Sequence, residues 1–241
     1  MSHSSAADPL GRAVSDFYER GAADRLLVLS PQFDDDELPV ATFFRTEAAM
    51  APLERTALRH CRGRVLDVGA GAGCHSLALQ AAGLRVTAVD VSPLAVQTMR
   101  RRGVAAAHLA DFYGDVPGAP YDTLLFLMNG LGLAGTLDGL PRWLERCRRL
   151  LAPGGQVLAD SSDLRYLFED EDGQLVDLPD DRYYGEVDYT FSYRGERGRP
   201  FRWLYVDFDT LAGAARACGF RAELLARGEH YDYLARLTVA R

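Results

Sequence analysis

Short apolar runs alternate with helical segments between residues 64 and 159. The runs are rich in β-branched residues and each ends at a glycine or a polar residue, which is typical of strands. They predict strands at 65–68, 85–89, 104–109, 123–127 and 156–159. The segments between them have apolar residues at helical spacing and predict helices at 74–82, 93–102 and 137–151. Repeated strand–helix units with short connections favour a parallel, doubly wound α/β sheet.

The regions before and after this segment do not alternate between strands and helices. Alternating patterns at 184–193 and 201–208, separated by a Gly/Arg/Pro turn, predict a β-hairpin inserted after the fifth strand. Asp209-Thr210 is expected to cap a helix that ends near Ala217, and strands are predicted at 221–226 and 231–240. We therefore predict an N-terminal helical cover at 1–62 and a main domain at 63–241, with an insert at about 161–207.

Composition narrows the possible chemistry. The 241 residues carry a formal net charge of -7, and all 27 basic residues are arginines. The absence of lysine excludes Schiff-base chemistry, a lysine general base and a P-loop lysine. An acidic chain also argues against a nucleic-acid partner. Its four cysteines form no CxxC pair, so no metal site is predicted.

The chain shows neither an apolar leader within residues 1–10 nor an apolar run near the ~18 residues that span a bilayer. We expect a cytoplasmic protein with no membrane contact, and the oligomeric state stays open. Two charge runs, Asp34–Glu37 and Arg100–Arg102, are interpreted as solvated faces.

A glycine-rich loop follows the first predicted strand, in the segment Val65-Leu66-Asp67-Val68-Gly69-Ala70-Gly71-Ala72-Gly73. Glycines between a strand and a helix let the backbone approach a ligand, and the helix N-terminus adds unpaired N–H donors. A dinucleotide fingerprint reads G-x-G-x-x-G/A, whereas the last position here is Cys74.

Carboxylates end the first three strands. Asp67 lies beside the glycine loop, where it would repel a pyrophosphate and suits a positively charged ligand. Asp90 stands 21 residues after Gly69, where a carboxylate can accept both hydroxyls of a ribose. Asp111 follows the third strand at the same edge of the sheet.

These segments in this order resemble the class I S-adenosylmethionine-dependent methyltransferases. Residues 65–73 are similar to the family's first motif, 86–92 to its second, Ala110-Asp111-Phe112 to its adenine-side motif, and 150–155 to the L-x-P-G-G before strand five. The resemblance implies a Rossmann-like, seven-stranded, mostly parallel sheet with helices on both faces and one reversed strand at the edge. It also implies S-adenosyl-L-methionine as cofactor.

The resemblance assigns the cofactor's parts to particular residues. Asp67, Gly69 and Gly71 would face the methionine part, Asp90 the ribose, and Asp111 with Phe112 the adenine. Core packing is an equally good interpretation of Phe112. The full set of cofactor-binding candidates is Asp67, Gly69, Ala70, Gly71, Asp90, Val91, Asp111, Phe112 and Asn129.

The acceptor side is less defined. Strand four ends in Asn129-Gly130, either a turn or a contact with cofactor or substrate, and lacks the Pro-Pro-aromatic segment of enzymes that methylate nucleobases. In-line transfer of a sulfonium methyl group needs no general base in principle. The candidates for one are Asn129, Asp160, Tyr184 and His230. The candidates for binding substrate are Tyr18, Phe44, Arg45, Tyr183 and Arg202.

Three functions compete at this stage. The leading hypothesis is a methyltransferase that acts on a small molecule, with the cover and the insert enclosing the acceptor at the carboxyl edge of the sheet. A nicotinamide-dependent oxidoreductase is disfavoured by Asp67 and by the missing third glycine of the fingerprint. A non-catalytic S-adenosylmethionine-binding module is the third possibility.

Overall fold

The structure is a computed structural model that describes residues 7–170 and 174–240. The first six residues of the Ser/Ala-rich start lie outside the described part. By its contacts the chain divides into two compact units. The described residues of unit 1 are 7–50, 69–117 and 188–201, and those of unit 2 are 51–68, 118–170, 174–187 and 202–240. The predicted boundary at 62/63 stays a prediction.

A seven-stranded mixed sheet forms the framework. Its strands are β3 (Arg64–Val68), β4 (Arg85–Asp90), β5 (Ala107–Leu109), β6 (Tyr121–Phe126), β7 (Leu151–Ser162), β11 (Phe220–Arg227) and β12 (Asp232–Val239). They lie in the order β11-β12-β7-β6-β3-β4-β5. Parallel pairing joins β3 to β6, β6 to β7, and β4 to β5. This confirms the predicted Rossmann-like α/β class.

The position of the reversed strand was predicted wrongly. β12 runs antiparallel to both β7 and β11, so the reversed strand lies second from the edge. The two last strands follow each other along the chain and form a hairpin. β12 then pairs with β7 through seven consecutive residues from Asp232 to Thr238, which places it inside the sheet.

Six α-helices accompany the strands within the described residues. They are α1 (Pro9–Arg20), α2 (Pro52–His60), α3 (Cys74–Ala81), α4 (Pro93–Arg101), α5 (Leu140–Leu150) and α6 (Phe208–Ala217). Ser92 caps α4 as predicted, because its hydroxyl accepts the Ala95 N–H at 2.9 Å. The cap of α6 is Asp207, not Asp209-Thr210, and it accepts the Thr210 N–H at 2.9 Å. No helix in this part of the chain is long and apolar enough to cross a bilayer.

A second, smaller sheet contains the predicted hairpin. It consists of β1 (Leu26–Leu29), β2 (Asp36–Glu37), β8 (Glu186–Tyr193), β9 (Glu196–Arg197) and β10 (Phe201–Leu204). β1 and β2 interrupt the N-terminal segment, which was predicted as helical only. The pattern at 26–29 does not alternate, and this strand forms because it pairs with β8, far away along the chain. Asp34–Glu37 is exposed as predicted.

The core of unit 2 lies where α5 packs on β6. Leu124, Leu125 and Phe126 are fully buried, and the Phe126 and Trp143 rings lie 4.9 Å apart. The buried face of α5 matches the spacing seen in the sequence. This packing fixes the position of the loop that follows β6, which carries Asn129.

Candidate active site

The glycine loop has the backbone that its sequence requires. Gly69, Gly71 and Gly73 have φ values of 68°, 56° and 80°, a region that side chains disfavour. The N–H groups of Gly69 and Ala70 donate to the Val89 carbonyl at 2.9 and 3.1 Å. A side chain on Gly69 would meet no atom within 4 Å. The loop is therefore fixed to the end of β4 and open to a ligand at Gly69.

Asp90 organises this loop. Its carboxylate is buried, with 8% of the residue exposed. One oxygen accepts the Gly71 N–H at 2.9 Å and the other accepts the Ser92 N–H at 2.8 Å. Carboxylate oxygens are hydrogen-bond acceptors, so this position suits a ligand that carries hydroxyl groups. The geometry fits the two adjacent hydroxyls of a ribose.

Apolar side chains stand exposed beside this carboxylate. Val91 is 68% exposed and Leu109, the partner of Asp90 in the β4–β5 pairing, is 56% exposed. They offer a surface for a flat, apolar ring such as adenine. Leu109 was missed from the sequence because only the strand register brings it next to Asp90. Asp111 is exposed, and its carboxylate accepts the Tyr113 N–H at 2.9 Å.

Phe112 faces the interior. It is 3% exposed, and its ring meets that of Tyr113 edge-on at 5.0 Å. Of the two interpretations, core packing describes this side chain. Its contact with adenine stays a prediction.

The N-terminal segment lies against the glycine loop within unit 1. A side chain on Gly71 would come within 3.0 Å of the Phe43 ring. Phe44 is held between the Phe17 ring at 4.7 Å and the Arg102 guanidinium at 4.7 Å. Arg102 is half-buried, so the solvated interpretation of Arg100–Arg102 is wrong for this residue.

The other N-terminal candidates have defined places. The Arg101 guanidinium lies 4.7 Å from the centre of the Tyr18 ring, and the Tyr18 hydroxyl donates to the Arg101 carbonyl at 3.3 Å. Arg45 is half-buried directly after the 3-10 helix Val40–Phe44. Their role in binding substrate stays a prediction.

In unit 2, the carboxyl ends of β3, β6 and β7 meet at one edge because these strands are parallel neighbours. Asp67 is 2% exposed near the end of β3. Asn129 follows β6, and Asp160 lies near the end of β7. The structure thus brings these three predicted residues to the same edge of the sheet.

The turn after β6 is strained. Met128 and Asn129 have φ values of 63° and 55°, which costs non-glycine residues about 1–3 kcal/mol each. The Asp160 carboxylate holds this turn by accepting the N–H groups of Met128 at 3.1 Å and Gly130 at 3.2 Å. The charge of Asp160 therefore supports the backbone. Strain of this kind clusters at functional sites.

Asn129 has a fixed orientation. Its side-chain oxygen accepts the Ser162 hydroxyl at 3.0 Å. The nitrogen of the same amide is then the donor end and points away from Ser162. Asn129 is thus both a turn residue and a hydrogen-bond donor at the strand edge.

Two tyrosines of the insert converge on Asp207. The Tyr183 hydroxyl donates to this carboxylate at 2.7 Å, and the Tyr184 hydroxyl lies 3.3 Å from the same oxygen. Tyr184 also donates to Asp163 at 2.8 Å. Burial raises the pKa of both phenols, that of Tyr184 to about 12. Both hydroxyls therefore keep their protons near neutral pH and act as donors.

Asp207 stays ionised in this network. Burial alone would raise the pKa of its carboxyl group, but hydrogen bonds from Thr210 and Tyr183 outweigh burial and hold this pKa below its ordinary value. The same carboxylate caps α6. One charge thus connects the two tyrosines of the insert to the start of α6.

The last two candidates are exposed. Arg202 forms a long ion pair with Glu186, at 3.9 Å, and Glu186 also accepts the Leu137 N–H at 2.9 Å. His230 lies before β12, and its backbone N–H donates to Asp232 at 3.0 Å. A group of His, Cys, Asp or Glu residues suited to a metal ion is absent from the described residues.

These features define a Rossmann-like protein with a glycine loop after β3 and buried carboxylates at the ends of β3 and β4. A "Methyltransferase domain" family profile matches residues 65–155. The crystal structure of an S-adenosylmethionine-dependent methyltransferase from Bacteroides fragilis, in complex with S-adenosyl-L-homocysteine, is 52% identical, with a TM-score of 0.91. That match covers 97% of this chain and 95% of the other. The chain therefore belongs to the class I S-adenosylmethionine-dependent methyltransferases, a family of enzymes.

Matches to curated relatives are shorter. A malonyl-[acyl-carrier protein] O-methyltransferase from Erwinia pyrifoliae is 38% identical over 96 residues, or 39% of this chain and 36% of the relative. A ribosomal RNA small subunit methyltransferase C from Chromohalobacter salexigens is 36% identical over 132 residues, which cover 50% of this chain and 39% of the relative. The chain spans less than half the length of the curated relatives it matches.

The Asp207 network predicts a pH dependence of stability. A carboxyl group whose pKa is depressed by folding stabilises the fold above its unfolded pKa of about 3.9, and this contribution is lost as the pH falls through the lower folded pKa. Asp207→Asn removes that contribution. The difference in unfolding free energy between wild type and variant should therefore shrink as the pH falls below about 4.

Urea unfolding between about pH 2.5 and pH 6 measures this difference. Asp209→Asn, an exposed position in the first turn of the same helix, is the matched control and should show a smaller change. A difference that stays constant across this range would contradict the assignment of a depressed pKa to Asp207.

Proposed function

We propose that the protein binds S-adenosyl-L-methionine along the glycine loop and transfers its methyl group to a small molecule by in-line displacement. The observation that carries this proposal is the geometry of Asp90. Its two oxygens accept the N–H groups of Gly71 and Ser92, and the loop that they hold is open at Gly69. The cofactor-binding roles of Asp67, Asp90, Val91 and Asp111 are part of the proposal.

The charge of the edge suits this cofactor. Asp67 is buried near the end of β3, two residues before Gly69 of the loop. A carboxylate there attracts the positive charges of an ammonium and a sulfonium and would repel a pyrophosphate. The bound cofactor supplies an already activated methyl group. The chain's residues then have to orient the two reactants and exclude water.

The acceptor is proposed to lie at the edge formed by Asn129 and the insert. Asn129 presents its amide nitrogen as a donor, whereas the phenols of Tyr183 and Tyr184 donate their protons to Asp207 and Asp163. Transfer breaks the bond from sulfur to the methyl carbon and forms one from this carbon to the acceptor atom. A proton on the acceptor leaves to solvent or to a nearby base.

A small acceptor is favoured over a nucleic acid. The chain has a net charge of -7 and so lacks the excess of positive charge that binding to a phosphate backbone favours. The N-terminal segment also packs against the glycine loop through Phe43, which narrows access to it. The ribosomal RNA enzyme among the relatives makes RNA the competing acceptor that a test has to address.

Cofactor identity is tested by thermal denaturation with added ligands. S-adenosylmethionine and S-adenosylhomocysteine should raise the melting temperature because they bind the folded state, whereas NAD and NADP should leave it unchanged. Stabilisation by a dinucleotide, with no response to either sulfur compound, would overturn the proposal.

Removal of the Asp90 carboxylate should weaken binding of the cofactor. Asp90→Ala deletes a charged acceptor from a partly desolvated site, so the Kd for S-adenosylhomocysteine should rise roughly ten- to several-hundredfold. Isothermal titration measures the effect. Asp115→Ala, which removes an exposed carboxylate in the same unit, should leave the Kd within about twofold. An unchanged Kd in folded Asp90→Ala would place the ribose elsewhere.

The size of the acceptor is tested with a methyl-labelled cofactor. A cell extract is separated by ultrafiltration into a small-molecule filtrate and a macromolecular fraction, and each is incubated with the protein and labelled S-adenosylmethionine. Molecules of the filtrate should become labelled, and those of the macromolecular fraction should not. Incorporation into RNA or protein would support a macromolecular acceptor instead.

A further inference from the structure

Arg102 follows α4 and points its side chain at backbone carbonyls. One guanidinium nitrogen donates to the Ala72 carbonyl at 2.5 Å and to the Phe43 carbonyl at 3.2 Å. The other terminal nitrogen lies 3.5 Å from the Phe44 carbonyl. All four residues belong to unit 1. One side chain thus connects the glycine loop with the 3-10 helix Val40–Phe44.

The chemistry of this position is specific to arginine. The guanidinium is planar, carries donors in a fixed fork, and can stack on an aromatic ring. Here it lies 4.7 Å from the centre of the Phe44 ring while its nitrogens meet the carbonyls. Burial lowers the pKa of Arg102, and the group nonetheless remains charged at neutral pH. A lysine ammonium is compact and cannot serve the stacked ring and separated carbonyls together.

The carbonyl of Ala72 is part of the loop that holds Asp90. Ala72 stands between Gly71 and Gly73, which both have positive φ. Gly71 donates its N–H to Asp90, and a Cβ on this residue would come within 3.0 Å of the Phe43 ring. The contacts of Arg102 therefore act on the same short stretch of backbone that fixes the carboxylate.

We propose that Arg102 is a positioning residue for the cofactor. It couples the positions of Phe43 and Phe44 to the conformation of the glycine loop, so that affinity for the cofactor depends on a side chain that acts through backbone carbonyls and the Phe44 ring. This inference rests on the proposed function, because it takes the glycine loop to be the cofactor site.

Arg101 provides a matched control in the adjacent position. It is exposed, forms an ion pair with Glu19 and lies over the Tyr18 ring. It has the same charge and is the last residue of α4, directly before Arg102, but its partners lie on α1. Replacement of either arginine removes one positive charge, and only replacement of Arg102 removes the contact with Ala72.

The test compares Arg102→Gln and Arg102→Lys with Arg101→Gln. Isothermal titration with S-adenosylhomocysteine should show a Kd about ten- to a hundredfold higher for Arg102→Gln, an intermediate value for Arg102→Lys, and a change within about twofold for Arg101→Gln. If Arg102→Gln fails to fold, Arg102→Lys carries the measurement. Hydrogen exchange should show faster exchange at residues 40–45 and 70–74 in the Arg102 variants than in wild type.

A merely structural role predicts a different result. It would lower the unfolding free energy, while the folded fraction would bind S-adenosylhomocysteine as wild type does. A Kd within twofold of wild type for folded Arg102 variants, or unchanged exchange at 40–45, would overturn the inference. Failure of wild type to bind S-adenosylhomocysteine would instead overturn the proposed function.

Discussion

The conformation of the glycine loop depends on the carboxylate of Asp90. This carboxylate accepts the N–H groups of Gly71 and Ser92, one on each oxygen. The Ser92 hydroxyl in turn donates to Asp8 at 2.6 Å, and Asp8 accepts the Gly11 N–H at 2.9 Å. The caps of α1 and α4 are therefore hydrogen-bonded to each other. A buried charge is thus satisfied by backbone donors, and the N-terminal helix is fixed through the same chain of bonds.

Unit 2 uses the same principle at a second carboxylate. Asp160 accepts two backbone N–H groups in a turn whose residues Met128 and Asn129 adopt left-handed conformations. These hydrogen bonds hold the strained turn in its conformation. The Ser162 hydroxyl then orients the side-chain amide of Asn129. Asp160 therefore acts on this turn through the backbone, and its role as a general base stays a prediction.

The sequence predicts the framework well because the framework is local. Each strand, each helix, the Ser92 cap and the glycine loop can be recognised from about twelve consecutive residues or fewer. Periodicity and turn chemistry act over this range. β1 was missed because its four residues become a strand only by pairing with β8. The place of β12 was missed for the same reason, since hydrogen bonds with β7 decide it.

Candidate site residues could likewise be predicted where the signal is local and were missed where the contact is long-range. Strand-end residues such as Asp90 could be predicted because parallel strands bring their carboxyl ends together. Arg102 could not, because its charge run is typical of a solvated helix end and its partners Ala72 and Phe43 lie 30 and 59 positions away. Those partners are carbonyl oxygens, which every residue possesses, so residue type carries no signal of the contact. In a chain without lysine, arginine is the side chain that can take such a position, and structure is needed to show which arginine does so.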